Sequence, residues 1–290
     1  MQLTTSNNNF SKLKKPSSFD REFRLGLVLY GGISLAIYMN GICQEFYNAV
    51  RGRGIYKLIK ALTDSNIVVD IVSGTSAGGI NGVLLSYALA NSNETEVVDF
   101  KQFAQIWRNS GDIDKLLREP ASGKPTSEVN SFLDGEGYYQ GEFEKAFRQA
   151  GNYIESAPKN EWYSDFRELD LYLAGTDVLG RIYKIFDNTG KVIDLKDHRT
   201  VFHLKYRQDR KQWIGNPFQL EDEGTYQALA KLCRITSCFP VAFPLVTVKL
   251  EPNFADSDYE ADKNLWNGVN CKIVFFHPES QPKMDFNSIL

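Results

Sequence analysis

The chain has 290 residues, 42% of them hydrophobic and 13% aromatic, with a formal net charge of -3. That length supports one large or two modest domains with a proper core, and the balanced charge excludes the basic footprint of a nucleic-acid binder. Four cysteines without C-x-x-C spacing and three dispersed histidines argue against a disulfide framework or a metal cluster, and they fit a reducing, cytoplasmic compartment.

Residues 1–22, rich in Ser, Asn and Lys, read as a disordered leader. The apolar stretch 25–39 follows several basic residues, but it is too short to span a bilayer, Gly31-Gly32 interrupts it, and no cleavage signature follows. It reads instead as a buried strand over 24–30, a glycine turn, and a helix through Ile37, Ile42, Phe46 and Val50. A short helix is expected over 57–62. The Val/Ile run from Ile67 to Ser73 does not alternate with polar residues, which suits a central parallel strand covered on both faces. Beyond it, Ile80, Val83, Leu84, Tyr87 and Ala88 form the stripe of a helix packed on a sheet. Strand, loop, helix, strand, turn, helix is the order of a parallel sheet with helical crossovers.

Further along, 97–107 reads as an amphipathic helix and 119–140 as a surface loop. Residues 171–175 and 181–186 read as adjacent strands, with Asp187-Asn188-Thr189-Gly190 as a turn. A strand over 201–206, a helix over 226–235, and strands over 245–250 and 272–276 complete the expectation. The simplest organisation is one α/β domain over 23–290 with insertions.

Two glycine loops carry the chemistry. Gly74-Thr75-Ser76-Ala77-Gly78 joins the central strand to the following helix, as a nucleophile elbow requires: the serine sits on a sharp turn with its hydroxyl bare. Gly74 and Gly78 flank it where a Cβ would crowd the turn, and the Ala77 N–H is the first free donor of the helix. Tyr30-Gly31-Gly32 ends the first strand. It lacks the spacing of a dinucleotide loop or a phosphate cradle. Beside a serine elbow its natural role is an oxyanion hole, with a plain tight turn as the alternative.

In these blocks the sequence resembles the patatin-like phospholipase family, its bacterial patatin-related branch in particular. Leu27-Val28-Leu29-Tyr30-Gly31-Gly32 falls where that family has its oxyanion loop, and Asp70 through Gly79 is similar to its elbow. Gly175-Thr176-Asp177 with the strand to Phe186 resembles a structural strand pair, and Cys233 through Pro244 resembles the segment ahead of the family's last motif. The resemblance implies a three-layer α/β/α fold with a mostly parallel central sheet. It also implies acyl transfer from a lipid or phospholipid to Ser76, an oxyanion hole of Gly31, Gly32 and Ala77, and no metal or cofactor. Peripheral membrane contact goes with such a substrate.

The departures are specific. The loop's usual third glycine and basic residue are Ile33 and Leu35 here. The family's catalytic aspartate belongs to an Asp-Gly-Gly or Asp-Gly-Ala motif, yet Asp256, Asp258, Asp262 and Asp285 are not followed by glycine, and Asp134-Gly135 lies out of order. The base is thus unassigned: it is unconventional, or the chain is truncated before it. Two other readings stay open, a Ser76, Asp256 or Asp258, and His277 triad, and a lipid-binding remnant without catalysis.

Overall fold

The computed structural model describes residues 19–118, 131–152, 154–156, 158–164, 167–208 and 216–246. Strand β1 (Arg21–Leu29) runs into the Tyr30-Gly31-Gly32 loop, a 3-10 turn (Ile33–Leu35) and helix α1 (Ala36–Val50). Helix α2 (Ile55–Thr63) leads to strand β2 (Ser65–Gly74); Thr75 and Ser76 alone separate β2 from helix α3 (Ala77–Ala90). Strand β3 (Glu96–Val98), the short helix α4 (Ile113–Leu116), helix α5 (Gln140–Asn152) and strand β4 (Ile154–Ser156) follow. Strands β5 (Glu168–Phe186) and β6 (Val192–Arg207) and helix α6 (Glu223–Thr236) complete the described elements.

The main sheet has the order β1-β2-β5-β6. Both neighbours of β2 run parallel to it, while β6 pairs antiparallel with β5. Helices flank this sheet, whose inner strands are parallel, in a three-layer α/β/α arrangement. β3 and β4 form a separate antiparallel pair. Ile67, Val68, Val69, Ile71 and Val72 explain why β2 is a strand, since branched side chains fit a pleated surface. The core joins Leu27 and Leu29 of β1, Val69 and Val72 of β2, and Leu169, Leu171 and Leu173 of β5 to the apolar residues of α3.

Helix α3 is the centre of the molecule. A Cβ on Gly82 would stand 3.1 Å from Val72, 3.5 Å from Leu171 and 3.7 Å from Leu29, so the helix lies close across three strands at once. The expected one-sided stripe is corrected here: every residue from Ala77 to Ala90 is buried, because α1 and α6 cover what the sheet leaves. The absence of any charged residue in this stretch carried that signal.

Other expectations change as well. The stretch 97–107 is not one amphipathic helix but β3, a 3-10 turn (Phe100–Phe103) and a π-helical turn (Ile106–Ser110). The Val98 N–H donates to Ser92 Oγ at 3.1 Å and its carbonyl accepts from Tyr47 Oη at 2.9 Å, which takes both groups away from a helical ladder. The two expected strands over 171–186 are one strand, β5, with a register shift between Thr176 and Arg181, and 201–206 is the last part of β6. Asp187 to Gly190 is the connecting turn, as expected, closed by Gly190 N–H to the Asp187 carbonyl at 3.0 Å. Within the expected loop 119–140, residues 135–139 form a π-helical turn. The strand expected over 245–250 lies largely, and that over 272–276 wholly, outside the described residues.

Truncating Leu84, fully buried in α3 within the main core, should cost about 2–5 kcal/mol because the surrounding core relaxes only partly around the cavity. Urea unfolding of Leu84→Ala checks this as a lowered midpoint at unchanged slope.

Candidate active site

Because β1 and β2 are parallel and Leu29 lies opposite Gly74, the loops after both strands emerge side by side at the same edge of the sheet. The Thr75 N–H donates to the Leu29 carbonyl at 3.2 Å. A Cβ on Gly78 would collide with the carbonyl oxygens of Leu29 and Tyr30, and one on Gly74 would stand 2.7 Å from the Gly79 backbone. Gly78 is therefore needed to seat the elbow against the end of β1, and Gly74 to let the chain fold back tightly onto the start of α3.

Ser76 itself has φ 54° and ψ −131°, a left-handed conformation that an L residue rarely adopts. Such strain costs about 1–3 kcal/mol and persists only where surroundings over-determine it. Here the Ser76 N–H is shared between the Thr236 carbonyl at 2.9 Å and Thr236 Oγ1 at 3.1 Å. Thr236 Oγ1 in turn donates to the Ala174 carbonyl on β5 at 2.9 Å, and the Ser76 carbonyl accepts from the Ile80 N–H at 2.9 Å. Three elements thus clamp one peptide. The Ser76 side chain is half-buried, and among the described residues nothing hydrogen-bonds its Oγ.

Facing it is the first glycine loop. A Cβ on Gly31 would lie 3.0 Å from Ser76 Cβ and 3.6 Å from Ser76 Oγ, so a side chain there would crowd the Ser76 Cβ and stand in contact with the hydroxyl. Gly32 has φ 141°, open only to glycine at low cost. No described residue accepts the N–H groups of Gly31, Gly32 or Ala77. The Ala77 N–H is one of the orphan donors at the start of α3, where the helix dipole also favours negative charge.

The family described as patatin-like phospholipase matches residues 27–260 of this sequence. The chain belongs to the patatin-like phospholipase family. It is also similar to an uncharacterized membrane protein of Mycobacterium tuberculosis, Rv3479, with 25% identity over 275 residues, 84% of this chain and 22% of that protein. The chain thus spans only about a fifth of that relative's length. No solved structure matches it significantly. No described helix is long and apolar enough to cross a membrane.

Within this patatin-like domain the other candidate residues separate clearly. Asp134 is a helix cap: its two carboxylate oxygens accept from the N–H groups of Gly137 at 2.9 Å and Tyr138 at 3.1 Å. His203, buried on β6, has Nε2 2.7 Å from Asp170 Oδ1 and stacks on Tyr172; Arg207 grips the same carboxylate at 2.9 and 2.7 Å. His198 Nδ1 lies 2.7 Å from the Asp177 carbonyl. Asp256, Asp258, Asp262, Asp285 and His277 lie outside the described residues. Among the described residues no His, Cys, Asp and Glu group has the makings of a metal site.

Behind the site, burial pushes the Cys233 thiol up, and it lowers the pKa of the Arg234 guanidinium, whose Nη2 donates to the Pro244 carbonyl at 2.8 Å. That bond, with the stacking of Phe243 on Tyr139 at 4.8 Å, anchors the loop that follows Thr236.

Sequence reasoning missed Thr236. It lies within the recognised Cys233–Pro244 block, but nothing local marks it as the partner of a serine 160 residues away. Thr236→Val keeps the shape, removes one of the two acceptors of the Ser76 N–H, and removes the hydroxyl that donates to the Ala174 carbonyl. We expect a loss of about 1–3 kcal/mol in urea unfolding.

Proposed function

We propose that the protein is a lipid acyl hydrolase in which Ser76 is the nucleophile. The observation that carries this reading is the strained Ser76 elbow: an unpartnered Oγ next to Gly31, with no described acceptor for the N–H groups of Gly31, Gly32 and Ala77. Strain of this kind is retained where it positions a reacting group. In the reaction, Ser76 Oγ bonds to the ester carbonyl carbon as its proton passes to a base, and the carbonyl electron pair moves onto oxygen. The three N–H groups receive that oxyanion; removing one such donor typically costs about 10²–10³ in rate. Collapse expels the alcohol, which takes the proton, and water then releases the acyl group by the same steps. Membership of the patatin-like family supports a carboxylate as the base and a lipid ester as substrate, and the reading calls for no metal or cofactor.

The experiment is labelling with a fluorophosphonate. Wild-type protein should be labelled and hydrolyse p-nitrophenyl butyrate, and Ser76→Ala should lose both. Activity that survives Ser76→Ala would sink the reading.

The rim of the site supports a peripheral encounter with a lipid surface. Ile33 is 92% exposed and Tyr30 75%, on the loop beside Ser76, and Phe239 is 71% exposed on the loop after Thr236. Large apolar side chains exposed together around a site mark an interaction surface. The free thiols of Cys43, Cys233 and Cys238 suit a cytoplasmic setting for that encounter. Each inserted side chain contributes about 1.5–3 kcal/mol, roughly tenfold or more in binding. Ile33→Glu combined with Phe239→Glu should therefore cut sedimentation with phosphatidylcholine vesicles by at least that factor, while hydrolysis of the soluble ester is kept.

A further inference from the structure

Asn81 is fully buried one turn into α3, and every hydrogen-bonding valence of its amide is filled. Its Oδ1 accepts from Asn40 Nδ2 at 3.1 Å and from Trp107 Nε1 at 3.2 Å. Its Nδ2 donates to the Ala36 carbonyl at 2.9 Å and to the Ala77 carbonyl at 3.0 Å. An indole N–H only donates, so the amide atom facing Trp107 must be oxygen, which sets the orientation of the whole group. Ala36 and Ala77 are the first residues of α1 and α3. One NH2 group therefore ties together the starts of the two helices that follow the two glycine loops. Ala36, Met39 and Ala77, with Trp107 packed against them, form an apolar cluster separate from the main core beside this amide.

We propose that Asn81 is a positioning residue: it sets the distance between the two halves of the oxyanion hole, the Gly31-Gly32 N–H groups and the Ala77 N–H. This rests on the reading of Ser76 as nucleophile. An oxyanion hole works only when its donors converge on one point about 3 Å from each. The two helix starts meet through alanines, whose smooth contact resists sliding poorly. Four directional hydrogen bonds in a dry environment resist it well. Asn81 touches no reacting atom in this scheme; it acts through the backbone it holds.

Asn81→Asp separates the two halves of the amide. It keeps an acceptor for Asn40 and Trp107 and loses both donors to the helix starts. Trp107→Phe does the reverse, removing one accepted bond and keeping both donated ones. The measurement is the time course of fluorophosphonate labelling, with kcat and KM on p-nitrophenyl butyrate and circular dichroism as a check on folding. A misplaced hole lowers the rate constant of labelling in every folded molecule, whereas a purely structural defect lowers the labelled fraction and leaves the rate constant alone.

For Asn81→Asp we expect the rate constant and kcat to fall about 10²-fold, the cost of a misplacement of about 1 Å, with KM within about threefold. Trp107→Phe should stay within about fivefold of wild type in kcat. Should Asn81→Asp not fold, Asn81→Ser, with one hydroxyl donor, takes its place and should lose rate in the same way. A wild-type rate constant in the folded Asn81 variant, or an equal fall in Trp107→Phe, overturns the positioning role alone. Ester hydrolysis that persists in Ser76→Ala overturns the nucleophile and this proposal together.

Discussion

The parallel pairing of β1 with β2 is the constraint on which the rest of this molecule depends. Parallel neighbours deliver their carboxyl ends to the same edge of a sheet, so the Tyr30-Gly31-Gly32 loop and the Ser76 elbow emerge together. Antiparallel pairing would have put them at opposite ends. The bond from the Thr75 N–H to the Leu29 carbonyl extends the ladder by one step past Gly74 and fixes the elbow against its neighbour. The glycines at 31 and 78 then read as a single requirement, that the loop after β1 and the elbow approach more closely than side chains permit, while Gly74 lets the elbow fold back on the start of α3.

Holding Ser76 in a left-handed conformation has an energetic cost, and the fold meets it from three directions. β2 supplies the entry, α3 the exit, and the carboxyl end of α6 supplies the acceptors for the Ser76 N–H. Thr236 passes the connection on to β5 through the Ala174 carbonyl. The unusual residue thus sits at the junction of most of the central architecture. The total burial of α3 serves the same end, since a helix without a solvent face can hardly rotate or fray beneath the group it positions.

How much of this was legible before the structure depends on how local the encoding is. The elbow could be read because strand, Gly-x-Ser-x-Gly and helix lie within about two dozen consecutive residues, and each step has its own chemical signature. The continuity of β5 could not. Thr176 to Gly180 separates the two expected strands, and only the pairing of β6 on both sides of the register shift makes one strand of them. The helix expected over 97–107 failed for a similar reason, because Ser92 and Tyr47 engage the Val98 backbone from outside the segment. Asp134 carried a suggestive dipeptide, but its oxygens proved to serve the adjacent helical turn.

By itself the sequence determined the α/β class, the order of the first strands and helices, and a serine at a kinked junction beside a glycine loop. These follow from neighbouring residues, because backbone geometry over a few positions is set by local sterics and hydrophobic period. Only the tertiary structure decided that α3 is enclosed, that Thr236 receives the Ser76 N–H, and that Asn81 joins two helix starts. Those roles belong to polar groups whose partners lie far away along the chain. A hydroxyl or an amide carries no mark of its partner until packing brings the two within hydrogen-bonding distance and takes the water away.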